Sequence, residues 1–202
     1  MLARAEPEKK DRNRGTRELN GQIRQAEENT RKFTLSFSSE EPYTRWFGPE
    51  ILDHSDGAVD LSRLQDIGVV LYNHNRDDVI GKVTRVWIEN SRGQAEIEFD
   101  SDELSEKIRQ KVEGGTLKGV SVGYMVDTWE EVMPGKKSVD GRFTGPCYIA
   151  RKWAPYEISI VSVPADATVG VGRKMEPPVT SMNETLRRQY LYNLNLYKEV
   201  TR

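Results

Sequence analysis

Few residues of this chain can do chemistry. Among its 202 residues are two histidines, His54 and His74, and one cysteine, Cys147. A zinc site of the usual nitrogen and sulfur ligands gathers several such side chains around one ion, so no metal is expected. The glycines of "GTLKGVSVG" lack the Gly-x-x-x-x-Gly-Lys-Ser/Thr order that cradles phosphate, so no nucleotide or other cofactor is expected either. What remains is nucleophilic catalysis by a hydroxyl. That chemistry needs a base within hydrogen-bond reach and a third group to orient the base.

His74 is the better base. It stands in "LYNHN", where an apolar run gives way to a polar turn, and the preceding strand offers a rigid support for the ring. His54, in "EILDHSDGAVD", reads as a solvated loop residue. Ser121 is the better nucleophile, because "KGVSVGY" surrounds it with small residues that let a substrate backbone approach. The same stretch, with Val122 and Gly123, offers backbone N–H groups for an oxyanion. No histidine follows Ser121, so the third member must be a carboxylate. Glu157 interrupts the apolar segment "APYEISIVSVPA", where an unpaired carboxylate is costly. Asp166, in "PADA", is the alternative, although an aspartate in such a turn commonly bonds its own backbone. On pattern alone each of these remains open to a plainer role: a turn residue for His74, a solvent-facing strand residue for Ser121, and a salt bridge to Arg151 or Lys152 for Glu157.

The elements that must position these residues are mostly strands. Alternation of Phe33, Leu35 and Phe37 predicts a strand in "KFTLSFSS". "IGVVLYN" and "DVIGKVTRVWIEN" read as further strands, the second with a bulge near Val83 to Val86. "AEIEFD" completes a hairpin whose turn, "SRGQ", contains Gly93. "DSDELSEKIRQKVEGG" is the one clear helix, with Leu104, Ile108 and Val112 four apart, Asp100 or Ser101 as N-cap, and Gly114-Gly115 as the stop. "LKGVSVGYMVDTW" and "EISIVSVPAD" are strands, the latter ended by Pro164. Between them "EEVMPGKKSVDGRFTGP" reads as a long mobile loop.

Three regions follow. Residues 1–31 are dense in mixed charge and poor in large apolar side chains, which predicts a disordered or weakly helical arm. Residues 32–173 form the folded domain, an α+β fold dominated by an antiparallel barrel with packed helix. Residues 174–202 read as a linker and a short amphipathic helix through Leu186, Tyr190 and Leu194. The net charge of −2 gives no field toward nucleic acid, and basic residues are not interleaved with aromatics, so no nucleic-acid partner is required. No apolar run is long enough to span a bilayer, and the N-terminus has no apolar signal core, so neither a membrane nor export is expected. A single cysteine excludes an internal disulfide.

Three segments in order, "LYNHNRDDVIGKV", "GTLKGVSVGY" and "YEISIVSVPADATVGVGR", resemble the prohead maturation serine proteases of tailed bacteriophages. The resemblance covers about residues 32–173. It implies a fold similar to the herpesvirus capsid-maturation protease, a β-barrel surrounded by helices. It also implies a serine endopeptidase inside the procapsid, in the host cytoplasm, that cuts scaffold segments from the major capsid protein and cleaves itself, possible homodimers included. Carried over to this sequence, His74 is the base, Ser121 the nucleophile, and Glu157 matches the acidic position of the late strand. The herpesvirus relatives use a second histidine as third member, and this chain departs from them there. A rival reading keeps the fold without the chemistry: a capsid-assembly or scaffold-binding module in which His74 and Ser121 are ordinary strand-end residues.

Overall fold

The computed structural model describes residues 13–20, 23–25 and 31–163. Ten strands and two helices alternate along it in this order: β1 (Arg14–Asn20), β2 (Arg24–Gln25), β3 (Lys32–Ser39), β4 (Tyr43–Arg45), β5 (Gly48–Leu52), α1 (Ser62–Ile67), β6 (Val69–Tyr72), β7 (Asn75–Glu89), β8 (Arg92–Phe99), α2 (Glu103–Glu113), β9 (Gly119–Val132) and β10 (Cys147–Val161). The strands form one sheet of order β1-β9-β10-β6-β7-β8-β3-β2, and β5, carrying β4, also joins β10. The sheet is curled into a half-barrel. Most neighbours are antiparallel, but β5 and β6 lie parallel to β10 along different stretches of it. Among the described residues no helix is long and apolar enough to cross a membrane.

Period-2 patterning explains which face is filled. Phe33, Leu35 and Phe37 of β3, with Ala95, Ile97 and Phe99 of β8, are buried in the concave core. Phe33 meets Phe99 edge to face with ring centroids 5.4 Å apart. Val120, Val122 and Tyr124 of β9 and Ile158 and Ile160 of β10 join the same cluster. Each fully buried Val, Leu, Ile or Phe among them stabilises the fold by about 1.5–3 kcal/mol. Successive strand residues point to opposite faces, so the alternate positions Ser121, Gly123, Glu157 and Ser159 fall together on the other face. Ile108 and Val112 of α2 close the core.

Several sequence expectations are corrected by these coordinates. Residues 14–20 were expected to be disordered or weakly helical, yet they form β1, paired with β9 from Arg14↔Met125 to Asn20↔Gly119. Backbone pairing to a strand edge does not require the apolar side chains whose absence suggested disorder. The β7–β8 turn is Asn90-Ser91, both at positive φ, and Gly93 lies in β8. A Cβ there would meet the Phe37 ring at 2.5–2.6 Å, so the glycine serves close strand packing. The N-cap of α2 is Asp102, whose side chain accepts from the Ser105 amide, in place of Asp100 or Ser101. β4, β5 and α1 were not foreseen, being too short to show a period. The 133–146 excursion, expected to be a mobile loop, is tied down by ion pairs: Arg142 bonds Glu40, Asp53 and Asp140, and Arg151 bonds Asp53, Glu130 and Asp140. The bulge in β7 lies where the alternation breaks, between Val83 and Arg85. The α+β fold expected as an antiparallel barrel is present as a curled half-barrel with two helices. Pro164, Asp166 and the helix expected within residues 174–202 lie outside the described residues.

Candidate active site

His74 sits in a two-residue turn. Tyr72 of β6 pairs with Asn75 of β7, and the connecting Asn73 and His74 have φ of 52° and 60°. Positive φ at both central residues is the requirement of a type I′ hairpin turn, whose twist matches that of its strands. Asparagine tolerates this backbone readily, whereas histidine at the second position is strained by about 1–2 kcal/mol relative to glycine. The turn is pinned to the end of β10. The Asn73 amide donates to the Ile160 carbonyl at 2.9 Å, and the Asn73 side-chain carbonyl accepts from the Ser162 amide at 2.9 Å. Asn73 is a positioning residue that the sequence reading passed over. Asparagine before a lone histidine at a strand end was its available signal.

The sheet order brings the other residues under the ring. Ser121 of β9 pairs with Ser159 of β10, and Ser159 pairs with Leu71 of β6. The three strands β9, β10 and β6 are therefore adjacent, and His74 reaches from the far side across β10. Its Nε2 lies 2.7 Å from Ser121 Oγ and its Nδ1 lies 2.5 Å from Glu157 Oε1. Ser159 Oγ stands below the ring, 3.4 Å from Nδ1. Ser121 and Ser159 are fully buried, Glu157 is 7% exposed, and His74 is half-buried.

Glu157 does not pair with either cation proposed for it from sequence. Arg151 is engaged by Asp53, Glu130 and Asp140, and Lys152 donates to the Gly57 carbonyl. The carboxylate has room because Gly123 lies directly opposite it in the ladder. A Cβ on Gly123 would stand 2.6 Å from Glu157 Cγ and 2.8 Å from Glu157 Oε1. With Nδ1–H donating to the carboxylate, the Nε2 lone pair faces the serine hydroxyl. That is the tautomer in which an imidazole can take the serine proton.

His54 is elsewhere and differs from its sequence reading as a solvated residue. It is 6% exposed, stacks edge to face on Trp153, and bonds Ser38 Oγ through Nε2 at 2.7 Å and the Leu52 carbonyl through Nδ1 at 2.8 Å. Burial pushes its pKa down to about 4. Ser38, like Ser121, is fully buried, but this second Ser–His pair has the Leu52 carbonyl on Nδ1 where His74 has a carboxylate. Val122 and Gly123 lie within the doubly paired part of β9, between β1 and β10.

Ser121 Oγ has one further neighbour. The carbonyl oxygen of Arg17, in β1, lies 3.1 Å from it.

The model of the caudovirus prohead serine protease family matches residues 22–181 of this chain. Over 152 residues the chain is 36% identical to a protein named major capsid protein from Halomonas phage phiHAP-1, a match covering 73% of this chain and 24% of that protein. The chain thus spans about a quarter of the length of this curated relative. No solved structure matches it.

Proposed function

Because the chain belongs to the caudovirus prohead serine protease family, we propose that it is a serine endopeptidase of phage capsid maturation, with Ser121 as nucleophile, His74 as base and Glu157 as the group that orients the base. The observation that carries this reading is the unbroken hydrogen-bond line from Glu157 through His74 to Ser121. In acylation the Ser121 proton passes to His74 Nε2 as Oγ adds to a peptide carbonyl. Glu157 holds the imidazole in place and stabilises the imidazolium. His74 then protonates the departing amine, and water repeats the sequence to release the acid. Consecutive amides of a strand point to opposite edges, so of Val122 and Gly123 one donates toward β1 and the substrate side. That amide is the proposed oxyanion donor.

The substrate class follows from the family and from the relative named for the capsid: the phage major capsid protein with its scaffold segment, cut within the procapsid interior. The likeness to the herpesvirus maturation protease belongs to the same reading. Co-expression with the cognate capsid protein and mass spectrometry of the products tests it. Wild type yields defined fragments, and Ser121→Ala and His74→Ala yield none. Processing retained in either variant overturns the assignment.

The name of the relative also favours a second reading, a non-catalytic capsid-assembly module. A serine-reactive phosphonate separates the two. Labelling at Ser121 supports the enzyme, and an unlabelled Ser121 in assembled particles supports the module.

A further inference from the structure

β1 is the terminal strand of the sheet, and its removal leaves the 119–125 stretch of β9, Ser121 included, as an open edge. An open edge beside a nucleophile is a place where an extended peptide adds as a strand, with affinity from main-chain bonds and specificity from pockets for alternate side chains. β1 has the features of such a peptide. Of residues 14–17, only Arg17 has a fully buried side chain, at 1% exposure. Beside Arg17, the Asn13 carbonyl accepts from the Val126 amide, Asn13 Oδ1 accepts from Trp129, Arg14 stands 5.5 Å from the Tyr156 ring centroid, and Arg45 donates to the Thr16 carbonyl.

The Arg17 pocket is acidic and aromatic on its walls. Arg17 Nη2 donates to the Glu41 carbonyl, and the guanidinium stands 5.7 Å from the Tyr43 ring centroid. Glu50, 2% exposed, supplies negative charge that Arg17 shares with Arg45, which donates to Glu50 Oε1 at 3.3 Å and to the Tyr124 hydroxyl at 2.7 Å. Among the described residues Arg17 Nε and Nη1 have no hydrogen-bond partner. A buried guanidinium with two nitrogens unsatisfied is a poor permanent component of a core, and it suits a side chain that enters and leaves. Two residues earlier, Gly15 lies against Tyr124. A Cβ there would stand 2.7 Å from its hydroxyl oxygen, so that subsite accepts glycine.

Resting on the protease reading above, we propose that β1 occupies the substrate cleft as a substrate strand, that the enzyme cuts itself between Arg17 and Glu18, and that its pockets select Gly-x-Arg immediately before a scissile bond. The carbonyl facing Ser121 Oγ at 3.1 Å is that of Arg17, and Glu18 is the residue paired with Ser121. Oγ bonds to the Arg17 carbonyl carbon while its proton passes to His74. The bond to the Glu18 nitrogen breaks as His74 returns the proton to it. Water then hydrolyses the ester to give an Arg17 carboxylate and a Glu18 amino terminus. Departure of the fragment ending at Arg17 frees Val122 to Met125 of the β9 edge, the partners of residues 14–17, for substrate in trans.

The full chain and its Ser121→Ala variant are incubated, and the products read by intact mass and N-terminal sequencing. Wild type is expected to acquire a new terminus at Glu18, and Ser121→Ala to stay uncut. A synthetic peptide of the sequence Asn-Arg-Gly-Thr-Arg-Glu-Leu-Asn-Gly-Gln, added to wild type, is expected to be cut after its second arginine. Replacing that arginine by aspartate, or the glycine two before it by leucine, is expected to slow cutting by about 100-fold or more, because each leaves a pocket clashing or wrongly charged. The peptide arm needs no variant protein to fold. A chain whose Ser121 takes the phosphonate but which cuts neither itself nor the peptide after this arginine overturns the strand proposal and leaves the protease reading standing. A chain with no phosphonate labelling and no cut overturns both.

Discussion

His74 Nδ1 lies 2.5 Å from Glu157 Oε1, and His74, in the turn after β6, reaches this residue of β10 only because β6 packs parallel against β10. The contact does two jobs: it fixes the tautomer and it offsets the charge of an imidazolium. Glu157→Gln keeps the shape and can still accept a bond, but it removes the charge. The expected result is a fall in kcat of about 10³–10⁴-fold with the fold intact, and Asp166→Asn at wild-type rate. Steady-state kinetics on a peptide substrate checks both. Wild-type activity in Glu157→Gln with loss in Asp166→Asn moves the third role to Asp166.

His74 holds a left-handed backbone that glycine adopts without strain. His74→Gly is therefore expected to raise stability by about 1 kcal/mol while abolishing activity, whereas His74→Ala abolishes activity without that gain. Denaturant midpoints of the three proteins test the relation. A destabilised His74→Gly shows that contacts of the ring outweigh the backbone strain.

Gly123 has no space for a side chain, because the Glu157 carboxylate and the Tyr156 ring occupy it. Gly123→Ala must push Glu157 away from His74. The expected cost is about 1–3 kcal/mol of stability, together with a loss of kcat close to that of Glu157→Gln and little change in KM. An unaltered kcat shows that the carboxylate re-seats and that Gly123 serves packing alone.

How much of this was legible in the sequence depended on the range of each signal. β3, β6 to β10 and α2 carry their own period, so they could be read residue by residue. Ser121 announced itself by its small neighbours, and Glu157 by being a carboxylate in an apolar run. Nothing local says that Glu157 lies opposite Gly123, or that His74 crosses β10 to reach Ser121. Those are facts of register. β1 was misread for a related reason: its stability comes from the edge it lies on, not from its own side chains. His54 was misread because its burial depends on Trp153 and Ser38, which are distant in sequence.

His54 uses both ring nitrogens as a neutral imidazole, with Nδ1–H donating to the Leu52 carbonyl and Nε2 accepting from Ser38. Burial lowers its pKa to about 4 from the ordinary 6.5, with the Leu52 bond and the charges of Glu40 and Asp53 pulling upward and Arg17 downward. The folded pKa is below the unfolded one, so the unfolded chain binds a proton that the folded chain refuses. The contribution is full above pH 6.5 and is lost as pH falls toward 4. Over that window it amounts to about 3 kcal/mol. Asp53 adds no slope there. Burial opposes its ionisation, but bonds from Arg151, Ser55 and Arg142 hold its pKa at about 2. Urea unfolding at pH 7 and pH 4.5 should therefore show wild type losing about 2–3 kcal/mol more than His54→Gln, which has no proton to gain. Equal losses in the two proteins show that His54 is protonated in the fold, with Ser38 turned to accept from it.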